Sequence, residues 1–178
     1  MAVPWPRGYI QVYTGDGKGK TTAALGLALR AAGHGLRSYI GQFLKGQASG
    51  EREAAQGLGG LITIETYGSG RFLRWEAPPD PAEAARARDG LARARAAMLS
   101  GDYAVIVLDE VNVAIDFGLL SAAEVLAFVR EKPEAIELIL TGRGAPAEIV
   151  EAADLVSDIR AVKHYFDRGA ASRDGIEQ

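Results

Sequence analysis

Residues 14–22 read TGDGKGKTT, and they directly follow the apolar run YIQVY at residues 9–13. A buried strand that runs into a glycine- and lysine-rich loop, then into an Ala/Leu-rich segment, has the order strand, phosphate loop, helix. The segment KTTAALGLALRAAGHG predicts that helix, with its stop at Gly33 or Gly35. The usual pattern is glycine, four residues, then Gly-Lys-Ser/Thr. Here Gly19-Lys20-Thr21 supplies the second half, while Thr14 stands where the first glycine belongs. Gly15, Gly17 and Gly19 still give the backbone freedom to turn its N–H groups toward phosphate oxygens, in a stretch that also includes Asp16 and Thr22. The first turn of the helix adds unpaired N–H groups and a positive dipole end. Lys20 is placed to neutralise phosphate charge, and the Thr21 hydroxyl to hold Mg²⁺, with Mn²⁺ as its substitute. Lys18 either reaches a further phosphate oxygen or faces solvent.

The second anchor is the run YAVIVLDE at residues 103–110, an uninterrupted apolar stretch ending in two acids. Such a run suits a central parallel strand covered on both faces. Asp109 then stands where the metal-binding acid of a nucleotide site belongs. Glu110 is its neighbour, placed to activate water, tune the metal or hold a nearby loop.

Further strands are expected at 36–43, 61–67, 135–143 and 154–162. Helices are expected as a short polar piece within 50–59, a long one from Pro81 to Leu99, one beginning at the Ser121/Glu124 capping box, and a short one at 146–153. Residues 67–81 carry turn residues and prolines and read as irregular. The alternation implies an α/β, three-layer P-loop NTPase (RecA-like) fold with a mostly parallel central sheet. One domain is expected over 9–178, preceded by a flexible N-terminal arm, MAVPWPRG, at 1–8. That arm reads as a loose end, or as a cover in which Trp5 packs over a ligand or a second subunit.

Composition narrows the remaining classes. The 178 residues suffice for one substantial core, and 48% of them are hydrophobic. The net charge of -3 gives no footprint for nucleic acid. The chain has no cysteine, which excludes disulfides, a thiolate nucleophile and cysteine-ligated zinc or iron–sulfur centres. Neither a signal-peptide pattern nor an apolar run of membrane-spanning length is present, and a cytoplasmic location is expected.

Several blocks together are more selective than the phosphate loop alone. They are YTGDGKGKTTAALGLALRAAGHG, QFLKG (42–46), VIVLDEVN (105–112), LTGRGAP (140–146) and VKHYFDRGAASRDGIE (162–177). In this order they resemble the P-loop-type corrinoid adenosyltransferases over nearly the whole chain. The resemblance implies a reaction in which a Co(I) corrinoid attacks the 5′ carbon of Mg-ATP and inorganic triphosphate leaves. It implies ATP and a cobalamin or cobalamin precursor as substrates, a reductase or flavoprotein as electron donor, and a homodimer. It places Arg143 near a phosphate or in loop organisation, Gln42 and Asn112 behind the nucleotide or corrinoid, and Lys163 and His164 in shaping the site. For His164 a structural hydrogen bond is an equal reading. The family's Gly-Phe-Thr-Trp-Glu segment, whose aromatics pack under the corrin ring, is here GRFLRWE. Aligning Trp75 puts Leu73 at the phenylalanine's position and Phe72 one residue early. Other readings of the same core are a small-molecule kinase, a RecA-like or partition-type ATPase, and a binding protein that has lost transfer.

Overall fold

A computed structural model describes residues 3–46, 49–70 and 78–177. Phe72, Leu73 and Trp75 lie outside the described residues. Among the described residues six strands form one sheet in the order β3-β2-β4-β5-β1-β6: β1 Ile10–Thr14, β2 Ser38–Phe43, β3 Ile62–Tyr67, β4 Val105–Asp109, β5 Glu137–Thr141 and β6 Leu155–Asp158. Every adjacent pair is parallel, so the mostly parallel sheet expected from the sequence is wholly parallel.

The helices are α1 Lys20–Ala32, α2 Gly50–Gln56, α3 Pro81–Leu99, α4 Val111–Asp116, α5 Ala122–Arg130 and α6 Ala147–Ala152. They sort onto the two faces by the period-2 alternation of the strands. Val105 and Val107 of β4 and Ile139 of β5 point to the side of α1 and α2, where Ala24, Ala28, Ala31 and Ala55 meet them. Ile106, Leu108, Leu138 and Leu140 point to the other side, against Ala87, Ala94 and Met98 of α3, Phe128 of α5 and Ile149 of α6. The alanines of α1 recur three or four residues apart and let that helix lie close to the sheet.

Local chemistry accounts for the element ends. Ser121 and Glu124 form the reciprocal capping box, the Ser121 N–H donating to Glu124 Oε2 at 2.7 Å and the Glu124 N–H to Ser121 Oγ at 3.2 Å. Asp80 accepts from the Ala82 N–H and caps α3, with Pro81 in its first turn. Two expectations need correction. Helix α4 was not read from its sequence, VNVAID, because the residue that opens it, Glu110, adopts a left-handed φ of 61° that no residue type announces. The last strand is shorter than 154–162 because the chain turns from the sheet after Asp158 to serve the phosphate loop, where the Gly17 N–H donates to Ile159 O at 2.7 Å.

The segment before β1, read as an arm, lies against the body from Val3 onward. Trp5 Nε1 donates to Ala135 O at 2.8 Å, and the Gly8 N–H donates to Glu134 O at 2.8 Å. Ala135 precedes β5, so this contact sits at the end of the parallel sheet opposite the phosphate loop.

Two glycines inside helices have opposite reasons to be there. A Cβ on Gly90 of α3 would overlap the ring of Tyr67, so the helix rests on that ring. A Cβ on Gly26 of α1 would meet open space. Replacing Gly26 with Ala is therefore expected to stabilise the protein by about 0.5–1 kcal/mol. Gly90→Ala is expected to destabilise it by about 1–3 kcal/mol in spite of the helix propensity gained. Urea denaturation of both variants checks the contrast.

Candidate nucleotide site

The phosphate loop leaves the C-terminal end of β1 and closes at Gly19, which caps α1 with φ 123° and without a side-chain cap. No acid occupies the first turn of α1, so its free N–H groups and positive end are not neutralised locally. Thr14 in the first-glycine position now has a reason. It is the last residue of β1, where no positive φ is required, and its Oγ1 accepts a 3.3 Å hydrogen bond from the Ala145 N–H. Gly17 is needed for close approach, since a Cβ there would stand 2.7 Å from the Arg160 carbonyl carbon. Asp16 and Thr22 are exposed, on the loop and on the first turn of α1.

Lys20 is buried, and its Nζ donates to Gly15 O at 2.6 Å and Gly17 O at 2.7 Å. Burial lowers its pKa, Arg143 lowers it further, and Glu110, Asp16 and Asp109 oppose the shift. The ammonium thus sits folded into the loop it would serve.

Asp109 is 1% exposed, and three donors converge on it. Its Oδ1 accepts from Thr21 Oγ1 at 2.9 Å and Thr141 Oγ1 at 2.8 Å, while its Oδ2 accepts from Gln42 Nε2 at 3.2 Å. The contact with Thr21 joins the phosphate loop to the acid of β4, as the two sequence anchors require. Thr141 does double duty, because its Oγ1 also accepts from the Glu110 N–H at 2.9 Å. That bond helps hold Glu110 in a backbone region costing a non-glycine residue about 1–3 kcal/mol. Glu110 opens onto the cavity, which Asp109 does not line. Burial and the neighbouring Asp109 raise the Glu110 carboxyl above its ordinary range, against the opposing pull of Lys20 and Arg143.

The cavity measures about 690 Å³, within the usual size for a small-molecule site. Residues 17–22, Glu110, Arg143 and His164 from the sequence reading line it. Lys18 is exposed, and its Nζ donates to Ile176 O at 2.9 Å and lies 3.6 Å from Glu177 Oε1. His164 also makes a structural hydrogen bond, its Nδ1 accepting from the Phe166 N–H at 3.1 Å. Gln42 lies behind Asp109, fully buried. Asn112 is fully buried in α4 and Lys163 is exposed, and neither lines the cavity.

Three participants were not singled out in the sequence. Thr141 lies inside the LTGRGAP block and Lys45 inside QFLKG, so both were within sight. Glu51 had no signal, because an acid in a short polar helix ordinarily faces water. Its Oε1 accepts from Lys45 Nζ at 2.7 Å and from Gln42 Nε2 at 3.1 Å. Burial acts to raise this carboxyl, and the hydrogen bonds from Lys45 and Gln42 bring it down to about 2.

The family described as ATP:corrinoid adenosyltransferase BtuR/CobO/CobP matches residues 6–178. The corrinoid adenosyltransferase of Escherichia coli (strain K12) is 36% identical over 172 residues, 96% of this chain and 86% of that protein. That of Pseudomonas aeruginosa is 35% identical over 172 residues, 96% of this chain and 84% of its own. One from Sinorhizobium sp. is 35% identical over 174 residues, 96% of this chain and 80% of its own. The chain belongs to the ATP:corrinoid adenosyltransferase family.

The Lys45–Glu51–Gln42 chain predicts a pH-dependent stability. Since the fold favours the ionised form, Glu51 contributes stability above its ordinary value of 4.5 that is lost as the pH falls toward 2. Glu51→Gln is expected to lower the unfolding free energy at neutral pH, with the difference from the parent protein closing under acid. Urea titrations at a series of pH values check this, and a pH-independent difference would refute it.

Proposed function

We propose that the chain transfers the adenosyl group of ATP to a reduced corrinoid. The electron pair of Co(I) forms the bond to the 5′ carbon, the bond from that carbon to oxygen breaks, and triphosphate departs with the pair. Cobalt ends as Co(III). The observation that carries this reading, beside the family, is the convergence of Lys20, Thr21, Glu110 and Arg143 on one cavity large enough for a nucleotide. Lys20 and Arg143 supply charge against a polyphosphate, and Thr21 and Glu110 supply oxygen ligands for the cation that would accompany it.

A hard divalent cation suits the residues present. Thr21 and Glu110 supply oxygen donors, and Asp109 acts through the Thr21 hydroxyl it holds. Mg²⁺, or Mn²⁺ in its place, would be held by Thr21 and Glu110 with Asp109 behind them. When bound it would supply positive charge against the triphosphate. Lys20 and the N–H groups of the loop and the first turn of α1 bind the same phosphates and stabilise the negative charge that grows as the bond to carbon lengthens. A strong nucleophile such as Co(I) requires no general base, so Glu110 is free to serve the cation. Thr14, Gly15, Asp16, Gly17, Gly19 and Thr22 complete the phosphate loop in this reading, and Arg143 steadies the outer phosphate. The proposal extends to a reductase or flavoprotein that generates Co(I), to a homodimer and to a cytoplasmic setting.

The test is an anaerobic incubation with Mg-ATP and chemically reduced corrinoid, following the light-sensitive cobalt–carbon product and triphosphate together. Equal amounts of the two are expected. ADP in place of triphosphate would sink the proposal in favour of a kinase or ATPase, and binding without product in favour of a regulator. Lys20→Ala is expected to lower kcat/KM for ATP by about a hundred-fold or more, since it removes a charged contact to the leaving group. An unchanged kcat/KM would remove Lys20 from the mechanism.

A further inference from the structure

Lys18 is held by groups that form part of the same cavity. Gly175, Ile176 and Glu177 line the cavity together with residues of the phosphate loop. Lys18 Nζ donates to Ile176 O at 2.9 Å and lies 3.6 Å from Glu177 Oε1. Glu177 is fixed from its own side: Oε2 accepts from the Arg173 N–H at 2.9 Å and from Arg173 Nε at 3.3 Å, and Oε1 accepts from Arg173 Nη2 at 3.2 Å. The Tyr165 hydroxyl also donates to Glu177 Oε1, and the Arg173 guanidinium lies over the Tyr165 ring at 4.9 Å. The Tyr165 ring sits 4.8 Å from that of His164, which lines the cavity.

We infer that residues 173–177 are the closing wall of the nucleotide pocket, and that Lys18 and Glu177 are the positioning pair that holds this wall against the phosphate loop. The inference rests on nucleotide binding at this cavity. The occupant is a nucleoside triphosphate. With the wall in place the cavity already has the volume of a small-molecule site, so the nucleotide is enclosed by the wall and does not need to displace it. The wall also commits the charge of Lys18 to the protein, leaving Lys20 and Arg143 as the loop-side cations for phosphate. The Ile176 side chain, 55% exposed, gives the pocket rim an apolar surface beside those charges.

The test uses the full chain, Mg-ATP and no corrinoid, with two readouts. One is the dissociation constant for ATP by calorimetry. The other is the rate of trypsin cleavage after Arg173, followed by mass spectrometry. Glu177→Gln and Lys18→Met are each expected to weaken ATP binding about two- to five-fold, the scale of one partly exposed ion pair. Both should also speed cleavage at Arg173, and ATP should slow cleavage of the parent protein. The double variant should bind no more weakly than Lys18→Met alone, and Glu177→Asp should retain most of the protection. Tighter or unchanged ATP binding in Glu177→Gln would overturn the inference, because a competing anion or an idle tail would give those results. Faster cleavage of the parent protein in the presence of ATP would overturn it as well. Failure of ATP to bind at all would count against the proposed function itself. Normal binding with an indifferent tail would count against the wall alone.

Discussion

A carboxylate taken out of water must collect donors or give up its charge, and Asp109 collects three. They come from three elements: Thr21 from α1, Thr141 from the end of β5 and Gln42 from β2. With Asp109 itself ending β4, one buried acid fixes the C-terminal ends of three strands and the helix that follows the phosphate loop. The sheet order makes this possible, since β4 lies between β2 and β5, and β5 separates β4 from β1. Thr141, the last residue of β5, adds its own donor to Asp109, while Thr21 reaches the same oxygen from α1.

The same constraint explains what was legible in the sequence and what was not. The loop GDGKGKTT and the run VIVLDE announce themselves because they combine an element boundary with charge. The capping box at Ser121 and Glu124 does so because both of its hydrogen bonds are local. Thr141 and Gln42 are neutral residues within or ending apolar strands, and their bonds to Asp109 depend on which strands become neighbours; only the family resemblance pointed to Gln42. Glu51 is hidden for the same reason, one step further out, because it touches Asp109 only through Gln42. The helix after Glu110 was missed because a left-handed backbone at a glutamate is imposed by the surrounding packing and leaves no trace in composition. Thr14 shows the opposite case. Its departure from the usual glycine was visible, but its cause, a strand-end conformation with a bond to the Ala145 N–H, requires the neighbouring loop.

The bulk charge of -3 says little about the cavity, where charge is arranged in pairs. Lys45 faces Glu51 and Lys18 faces Glu177, so two of the lining lysines are committed to acids, one from α2 and one from the C-terminal segment. Lys20, Arg143 and Glu110 remain at the centre. The pairs keep four cations and three acids of one cavity from repelling across it, and they set which cations are left for a phosphate chain. An unpaired cluster of lysines would bind many anions. A cavity whose outer lysines already have partners favours a ligand long enough to reach Lys20 at the base of the loop.

That arrangement also bears on why a phosphate loop suits a reaction at carbon. In phosphoryl transfer the loop stabilises charge on the group that moves, whereas in adenosyl transfer it stabilises charge on the group that leaves. Both uses demand N–H groups, a lysine and a helix end preorganised around phosphate oxygens, and the loop geometry is the same for either. What differs is the requirement for a base. Phosphoryl transfer to a hydroxyl or to water needs a group to take or orient a proton, whereas a Co(I) nucleophile carries none. Glu110, held in a strained backbone beside Asp109 and opening onto the cavity, is then free of the task of a base, as the proposed cation-binding role requires. The strain is sustained by the hydroxyl of Thr141 that also serves Asp109. The acid that organises the sheet ends and the acid that opens onto the cavity are thus held in place by one threonine.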